Sequence, residues 1–223
     1  MNSTCEDLSQ FITPKVPGKT WTLSVPDLVI AGVHLSANGT FNADPFITFG
    51  ATTTNLNSAT TTYAFLFGTP IVPGMYNHAT SNGGLSLTSG EADNATVSPS
   101  AIYPTYVSGY GTLGLTPTNL GVDLGTAPCI AAGGGAGVTT TTTTCNYGAA
   151  TSDFAPTLYD NLEALLTYDQ TDLRSVASWS GSVALSTVST VPEPTSLTLF
   201  AAGLVALIGA AARRRARARD HKA

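Results

Sequence analysis

The fold class of this 223-residue chain is decided by one stretch, Ala177-Ser178-Trp179-Ser180-Gly181-Ser182-Val183-Ala184-Leu185. Serines occupy positions 178, 180 and 182, and the alternate positions 177, 179, 181 and 183 carry alanine, tryptophan, glycine and valine. Successive side chains of a β-strand point to opposite faces, so this alternation buries one face and exposes the other. The stretch therefore predicts an antiparallel strand that is buried on its Trp179 side.

Similar alternation recurs upstream, separated by Gly, Pro and Asn turn residues. Further strands are predicted at 21–25, 29–35, 46–54, 60–67, 85–87, 103–110 and 120–124. The second of these is expected to end at a turn over Ala37-Asn38-Gly39. Many short strands with turn residues between them indicate an all-β protein, and we expect residues 1–185 to form a single β-sandwich-like domain.

One upstream segment, Asn161–Tyr168, is ambiguous between helix and strand. Its Leu162, Leu165 and Leu166 fall at helical spacing, but no segment before Ser196 keeps a helical period over three turns. We favour a strand that pairs with residues 175–185 through a turn at 169–172.

The last 33 residues have a different character. They begin with Val191-Pro192-Glu193-Pro194-Thr195 and continue as an uncharged apolar run over 196–212. Five arginines follow within 213–219, namely Arg213, Arg214, Arg215, Arg217 and Arg219. As a helix, 197–212 would span about 24 Å, slightly less than the roughly 30 Å bilayer core. A buried core helix is the alternative, but the arginines that follow oppose burial.

The arginine cluster also predicts the orientation of this membrane helix. Basic residues beside a membrane helix stay on the cytoplasmic side, so residues 1 to about 190 lie across the membrane, with 186–190 as a linker. Residues 1–20 contain neither a basic n-region nor an apolar h-region. We therefore expect an export signal to be encoded upstream of Met1.

The order of these three features resembles the PEP-CTERM sorting domain of Gram-negative, exopolysaccharide-producing bacteria. The family motif maps onto Pro192, Glu193 and Pro194 within the segment 191–219. The resemblance implies recognition and cleavage near these residues by an exosortase, a membrane-embedded transpeptidase-like enzyme. It also implies a protein held in the cell envelope membrane before processing, and released to the outer surface or extracellular matrix afterwards.

Charge narrows the function classes further. Residues 1–190 contain twelve Asp or Glu but only three basic residues, Lys15, Lys19 and Arg174, a net charge of −9. The basic tail brings the whole chain to −5. An acidic exported domain disfavours nucleic-acid binding. Only 10% of the residues are charged, so Thr, Ser, Asn and Gly must carry much of the surface.

Three cysteines are present, and two of them flank a Gly- and Thr-rich loop. A disulfide between Cys129 and Cys145 is favoured in an oxidising compartment, where closing about 15 residues is worth roughly 3 kcal/mol. A metal site is the alternative, but no other Cys or His lies near in sequence. Cys5 is left over.

Catalytic groups are scarce. His34 and His78 are the only histidines before the C-terminal segment, and no Gly-x-Ser-x-Gly motif is present. Two acidic pairs, Glu91 with Asp93 and Asp169 with Asp172, could hold calcium, but solvated turn acids are the simpler interpretation.

Three tyrosines, Tyr103, Tyr106 and Tyr110, could form a sugar-stacking face, although core packing is the commoner use of such residues. We therefore expect an exported, non-enzymatic surface or matrix protein without cofactor or metal, structural or exopolysaccharide-associated. The alternative is a secreted hydrolase that uses loop carboxylates.

Overall fold

The computed structural model describes residues 4–90, 94–133 and 140–187, and these form an all-β domain, as predicted. A short 3₁₀ helix, Ser9–Phe11, precedes the strands. The eleven strands are β1 Ile12–Val16, β2 Thr20–Ile30, β3 Val33–Asn42, β4 Phe46–Asn55, β5 Thr61–Thr88, β6 Ala95–Ser98, β7 Val107–Leu113, β8 Thr116–Asn119, β9 Cys129–Ala131, β10 Thr142–Gln170 and β11 Val176–Ser186.

All described strands belong to one sheet. Its order is β1-β2-β3-β4-β11-β5-β10-β6-β9, and β7 pairs with both β10 and β8. The sheet is organised by β5 and β10, which are 28 and 29 residues long and run antiparallel to each other for most of their length. Neighbouring strands pair antiparallel throughout.

The two long strands are interrupted near their midpoints. Pro70 and Pro73 lie in β5 and Pro156 lies in β10, and the register shifts between Asp153 and Thr157 and again after Tyr159. Proline cannot donate a ladder hydrogen bond, and an unpaired residue bends a strand. The antiparallel pair of β5 and β10, called the β5–β10 ribbon below, can therefore bend near its middle. Its two halves remain in one sheet but lie in different planes.

The sheet folds back on itself at this interruption. The second half of β5 continues the β4–β11 layer, whereas its first half pairs only with the second half of β10. Phe49 of β4 stacks on Phe67 of β5, with ring centroids 5.1 Å apart. Trp179 of β11 lies 5.5 Å from Tyr168 of β10. These contacts join non-adjacent strands, so two layers of the same sheet enclose the core.

The stretch that predicted the fold behaves as expected. In β11 Ala177, Trp179, Val183 and Leu185 are buried, whereas Ser178 and Ser180 are exposed. The predicted strand at 60–67 is also present as the start of β5, with Tyr63, Phe65 and Phe67 all buried on one face.

The ambiguous segment Asn161–Tyr168 is a strand, as favoured, but its predicted partner is wrong. It lies in β10 and pairs with the first half of β5 and with β7, not with residues 175–185. The backbone reverses direction where Asp172 and Arg174 adopt positive φ. It then enters the opposite layer, where β11 pairs with β4 and β5.

The predicted turn at Ala37-Asn38-Gly39 is also wrong. The turn lies at Ala31-Gly32, where both residues have positive φ, and Asn38 and Gly39 sit in the middle of β3. A Cβ on Gly50 would lie 2.5 Å from Asn38 Oδ1, so the Asn38 amide occupies space over the neighbouring glycine. A Cβ on Gly39 would lie 2.8 Å from the carbonyl oxygen of Thr48, so close cross-strand packing, and not a reversal, explains the glycine after Asn38.

Two weaker strand predictions are only partly correct. Within 103–110 the strand begins at Val107, and within 120–124 a single bridge joins Leu124 to Val107.

The last described strand ends at Ser186, where the linker was predicted, and the first of two compact units is Met1–Thr187. The predicted membrane helix at 196–212 falls outside the described residues. Across 4–90, 94–133 and 140–187, no helix is sufficiently long and apolar to span a bilayer.

The predicted disulfide is present and ties β9 to β10. Cys129 and Cys145 are bonded, with Cα atoms 6.0 Å apart. Cys129 is fully buried, and the bond fastens the short β6–β9 pair to the long ribbon. Cys5 is a free and exposed thiol.

A buried polar network connects the two layers. Thr53 of β4 donates a hydrogen bond to Gln170 Oε1 at 2.7 Å and lies 2.8 Å from the Tyr168 hydroxyl. Gln170 Nε2 in turn donates to the carbonyl oxygen of Ser175 at 2.8 Å. All four residues are buried, so each polar group depends on the others for its partner.

We predict that Thr53→Val lowers the free energy of unfolding by about 1–3 kcal/mol, because Tyr168 and Gln170 each lose a buried partner. Thr54→Val is the matched control, since the adjacent Thr54 is half-buried on the opposite face of β4. Urea unfolding of both variants measures the difference. Equal stabilities would contradict the proposed importance of the network.

Candidate functional site

One broad surface of the described residues is the outward side of the layer formed by β1–β4, β11, β5 and β10. Three rows of side chains cross its strands in register, and each row lies on the side opposite the core. The rows are Thr13-Thr22-Thr40-Thr48-Ser182-Asn82, Ser24-Asn38-Gly50-Ser180-Gly84-Asn146 and Ser36-Thr52-Ser178-Ser86-Thr144. We call these residues the polar face.

Every member of the polar face is Thr, Ser, Asn or Gly, so the three rows contain neither a charged nor a large apolar side chain. This composition follows from the strand period, because each polar residue alternates with a buried one such as Leu23, Phe49 or Trp179. The polar face is thus a surface of Thr, Ser, Asn and Gly, as the low content of charged residues predicted.

Side chains along the rows are linked by hydrogen bonds. Thr13 Oγ1 lies 3.0 Å from Thr22 Oγ1, and Thr52 Oγ1 lies 3.1 Å from Ser178 Oγ. Asn82 Nδ2 donates to Ser182 Oγ at 2.8 Å. Such cross-strand contacts restrict the rotamers and keep the hydroxyl and amide groups ordered.

His34 and His78 lie at the margins of this face, each beside an aspartate. His34 Nδ1 is 2.8 Å from Asp27 Oδ2, and His78 Nδ1 is 2.6 Å from Asp153 Oδ1. His34 pairs with Thr54, which in turn pairs with the first residue of β11. His78 pairs with Ser186, the last residue of β11. Ten strand residues at about 3.3 Å each separate those ends by roughly 33 Å. The histidines therefore do not form a catalytic pair.

The candidate calcium ligands receive no support from the described part of the chain. Asp169 accepts a hydrogen bond from Thr62 Oγ1 at 2.6 Å, and Asp172 occupies the turn before β11. Glu91 and Asp93 lie outside the described residues. Among residues 4–90, 94–133 and 140–187, no group of three or more His, Cys, Asp or Glu could hold a metal ion.

The three tyrosines do not form a single sugar-stacking face. Tyr106 is fully buried, donates a hydrogen bond to the carbonyl oxygen of Val97 at 2.7 Å, and packs 4.8 Å from the Trp179 ring. Burial raises the pKa of its hydroxyl. Only Tyr103 and Tyr110 retain exposure, so the core-packing interpretation applies to Tyr106.

One carboxyl group that sequence reasoning missed is Glu163. It lies in β10 opposite Tyr110 of β7 and Gly68 of β5, and burial raises its pKa. Burial also raises the pKa of the Tyr110 hydroxyl, with further contributions from the charges of Asp123 and Glu163. Only the tertiary pairing reveals this cluster, because its members are distant in sequence.

The raised pKa of Glu163 predicts a specific pH dependence. Folding favours its protonated form, so this stabilisation is present at low pH and is lost as pH rises through the folded-state pKa, above the ordinary value of 4.5. Relative to Glu163→Gln, the wild-type protein should therefore lose stability as the pH rises above the ordinary pKa of 4.5. Urea unfolding at a series of pH values from acid to neutral measures the difference, and parallel stability curves would rule out the shift.

In the sequence, the described strands are followed by a Pro-Glu-Pro segment, an apolar run and an arginine cluster, which is the pattern of a C-terminal sorting signal. Residues 190–215 match the family model of the PEP-CTERM protein-sorting motif. The match confirms the predicted PEP-CTERM sorting motif at the C-terminal end of the chain. The motif implies an exosortase as processing partner and export to the cell envelope and surface.

The other comparisons add little. No curated protein matches the chain in sequence. A structure of infectious bursal disease virus, Gt strain, is 10% identical with a TM-score of 0.17, and the match covers 88% of this chain and 59% of that one. The VP2 subviral particle of the same virus is 11% identical with a TM-score of 0.19, covering 86% and 57%. TM-scores this low do not indicate a shared fold or function.

Proposed function

We propose that this protein is a non-enzymatic component of the cell surface or extracellular matrix that associates with neutral exopolysaccharide. The observation that supports the proposal is the polar face. Hydroxyl and carboxamide groups both donate and accept hydrogen bonds, as do the hydroxyl groups of sugars. The folded-back sheet supports the predicted sandwich-like architecture as a rigid scaffold for these groups.

Charge favours a neutral polymer over an anionic one. The three rows hold no cation, and residues 1–190 carry a net charge of −9, so an anionic polymer would be repelled at low salt. Cleavage near Pro192-Glu193-Pro194 would also remove the five arginines of the C-terminal tail, so the mature protein would keep this charge of −9 in place of the −5 of the whole chain.

The delivery route follows from the sorting segment. We propose that 196–212 holds the precursor in the membrane, with Arg213, Arg214, Arg215, Arg217 and Arg219 on the cytoplasmic side. Val191 to Thr195 would then present an extended, proline-stiffened substrate to the exosortase at the outer surface of this membrane. Only the protein upstream of the cleavage site would reach the matrix.

We predict that combined Pro192→Ala and Pro194→Ala substitution blocks processing, because alanine no longer fixes the backbone φ angles and restores two N–H donors. Mass spectrometry of the protein from its native host should show a wild-type C-terminus near Pro192 and an unprocessed variant in the membrane fraction. Pro117→Ala, at an exposed position in β8, is the control and should be processed normally. Wild-type peptides spanning residues 191–213 in the mature matrix protein would contradict the route.

We further predict that the protein from the host surface binds the neutral fraction of the host exopolysaccharide with a dissociation constant that is almost independent of salt. Hydrogen bonds between uncharged groups are not screened, so raising NaCl from about 50 mM to about 500 mM should change it less than twofold. Isothermal titration calorimetry measures this. No binding, or binding only to the acidic fraction, would contradict the proposal.

The alternative is a secreted hydrolase, and the observation in its favour is the raised pKa of Glu163 beside Tyr110. A general acid needs such a shift, together with a second carboxylate across the bond to be cleaved. Assays for new reducing ends in the binding mixtures separate the two functions. If the wild-type protein formed new reducing ends and Glu163→Gln did not, the function would be hydrolysis and not binding.

A further inference from the structure

The polar face contains a hollow centred on Gly84. Its volume is about 460 Å³, and its lining side chains include Asn82, Ser86, Thr144, Asn146, Ser178 and Ser180. Gly84 lies directly between Ser180 of β11 and Asn146 of β10 in the register, so the missing side chain creates the depression. Ligand pockets in proteins are typically about 300–1,000 Å³.

Three hydroxyl groups around the hollow are available to a ligand. Ser86, Ser180 and Thr144 make no side-chain hydrogen bond within the described residues. By contrast, Ser178 is paired with Thr52 Oγ1 at 3.1 Å, and Asn146 Oδ1 accepts a hydrogen bond from the Gly148 amide at 2.8 Å. The rim therefore combines groups that are fixed by protein contacts with groups that are free to contact a ligand.

The chemistry of the lining selects the class of ligand. All six polar side chains are hydroxyls or carboxamides, and no charged residue contributes to the hollow. A phosphate, sulfate or uronic acid would find no cation there, whereas a neutral sugar would find donors and acceptors on several sides. The glycine floor also allows a sugar ring to approach the backbone closely.

We propose that the hollow over Gly84 is a binding subsite for one neutral sugar unit of the polysaccharide. This inference rests on the proposed function and adds a location and a ligand class to it. The remaining rows of the polar face would then contact flanking units of the same chain through weaker hydrogen bonds, and the subsite would set the register of the polymer.

Filling the hollow tests the subsite. A Cβ on Gly84 would lie 3.4 Å from the Cys145 carbonyl oxygen, so the strand can accept Gly84→Thr while the added side chain occupies the depression. Gly68→Thr is the matched control, because Gly68 lies in the other half of β5, where a Cβ would be 3.6 Å from Glu163 Cγ. Both changes introduce the same β-branched residue into the same strand.

A second variant removes hydroxyl groups without adding bulk. Ser180→Ala combined with Thr144→Val eliminates two of the available hydroxyls, both of which are exposed and make no protein hydrogen bond in the described residues. Far-UV circular dichroism and urea midpoints should match the wild-type values for all variants. Binding changes then report on the site and not on folding.

The probe is a set of neutral oligosaccharides prepared by partial acid hydrolysis of the host exopolysaccharide, titrated calorimetrically into the protein from the host surface. Gly84→Thr should weaken binding at least tenfold and Gly68→Thr less than twofold. The Ser180→Ala, Thr144→Val variant should weaken it roughly fivefold to 150-fold, the range expected for two lost neutral hydrogen bonds.

The outcomes separate this inference from the proposed function. Equal affinity of the wild-type and Gly84→Thr proteins would overturn the subsite and leave association through the wider face intact. No binding by the wild-type protein would overturn both. If size-exclusion chromatography without sugar showed wild-type dimers and Gly84→Thr monomers, the hollow would be a contact between copies of the chain, and the sugar subsite would be wrong.

Discussion

Trp179 packs against Tyr168 across the fold, with ring centroids 5.5 Å apart, and the two-layer arrangement depends on this contact. Trp179 belongs to β11 in one layer, whereas Tyr168 belongs to the end of β10 in the other. The same tryptophan lies 4.8 Å from Tyr106, which anchors the segment before β7. Large aromatic rings bury extensive apolar area, so one cluster can fasten several distant segments of a sheet.

This packing also determines what faces solvent. Because β11 buries Trp179, its serines must point outwards, and the register carries that orientation to Thr52 of β4 and Ser86 of β5. The polar face is therefore a consequence of the core: a one-residue slip in β11 would exchange serines for Trp179 on the outside. Packing and surface chemistry are specified by the same alternation.

Local patterns predicted the strands whose alternation is strong, such as Phe46–Asn55 and the start of β5. They failed where tertiary context decides. The pairing of Asn161–Tyr168 depends on the reversal near Asp172 and on the change of layer, which no short-range pattern encodes. Similarly, Asn38-Gly39 has the composition of a turn, but it is held in a strand by packing over Gly50.

The candidate site likewise has some features that the sequence predicts and others that arise only from tertiary pairing. Composition predicted a surface rich in Thr, Ser and Asn, and the C-terminal segment predicted the sorting family directly. The polar face could not be predicted, because its members come from strands between Thr13 and Ser182 and meet only through the strand register. Glu163 and Tyr110 are likewise neighbours only in the folded chain.

We propose that the polar face contacts the neutral polymer, and this contact links the fold to the function. An NMR titration of the isotope-labelled protein with neutral exopolysaccharide oligosaccharides tests this most directly. We predict amide shifts concentrated along the three rows, centred on Ser180, Gly84 and Asn146. Shifts centred on Tyr110 and Glu163, or no shifts at saturating oligosaccharide, would contradict the account.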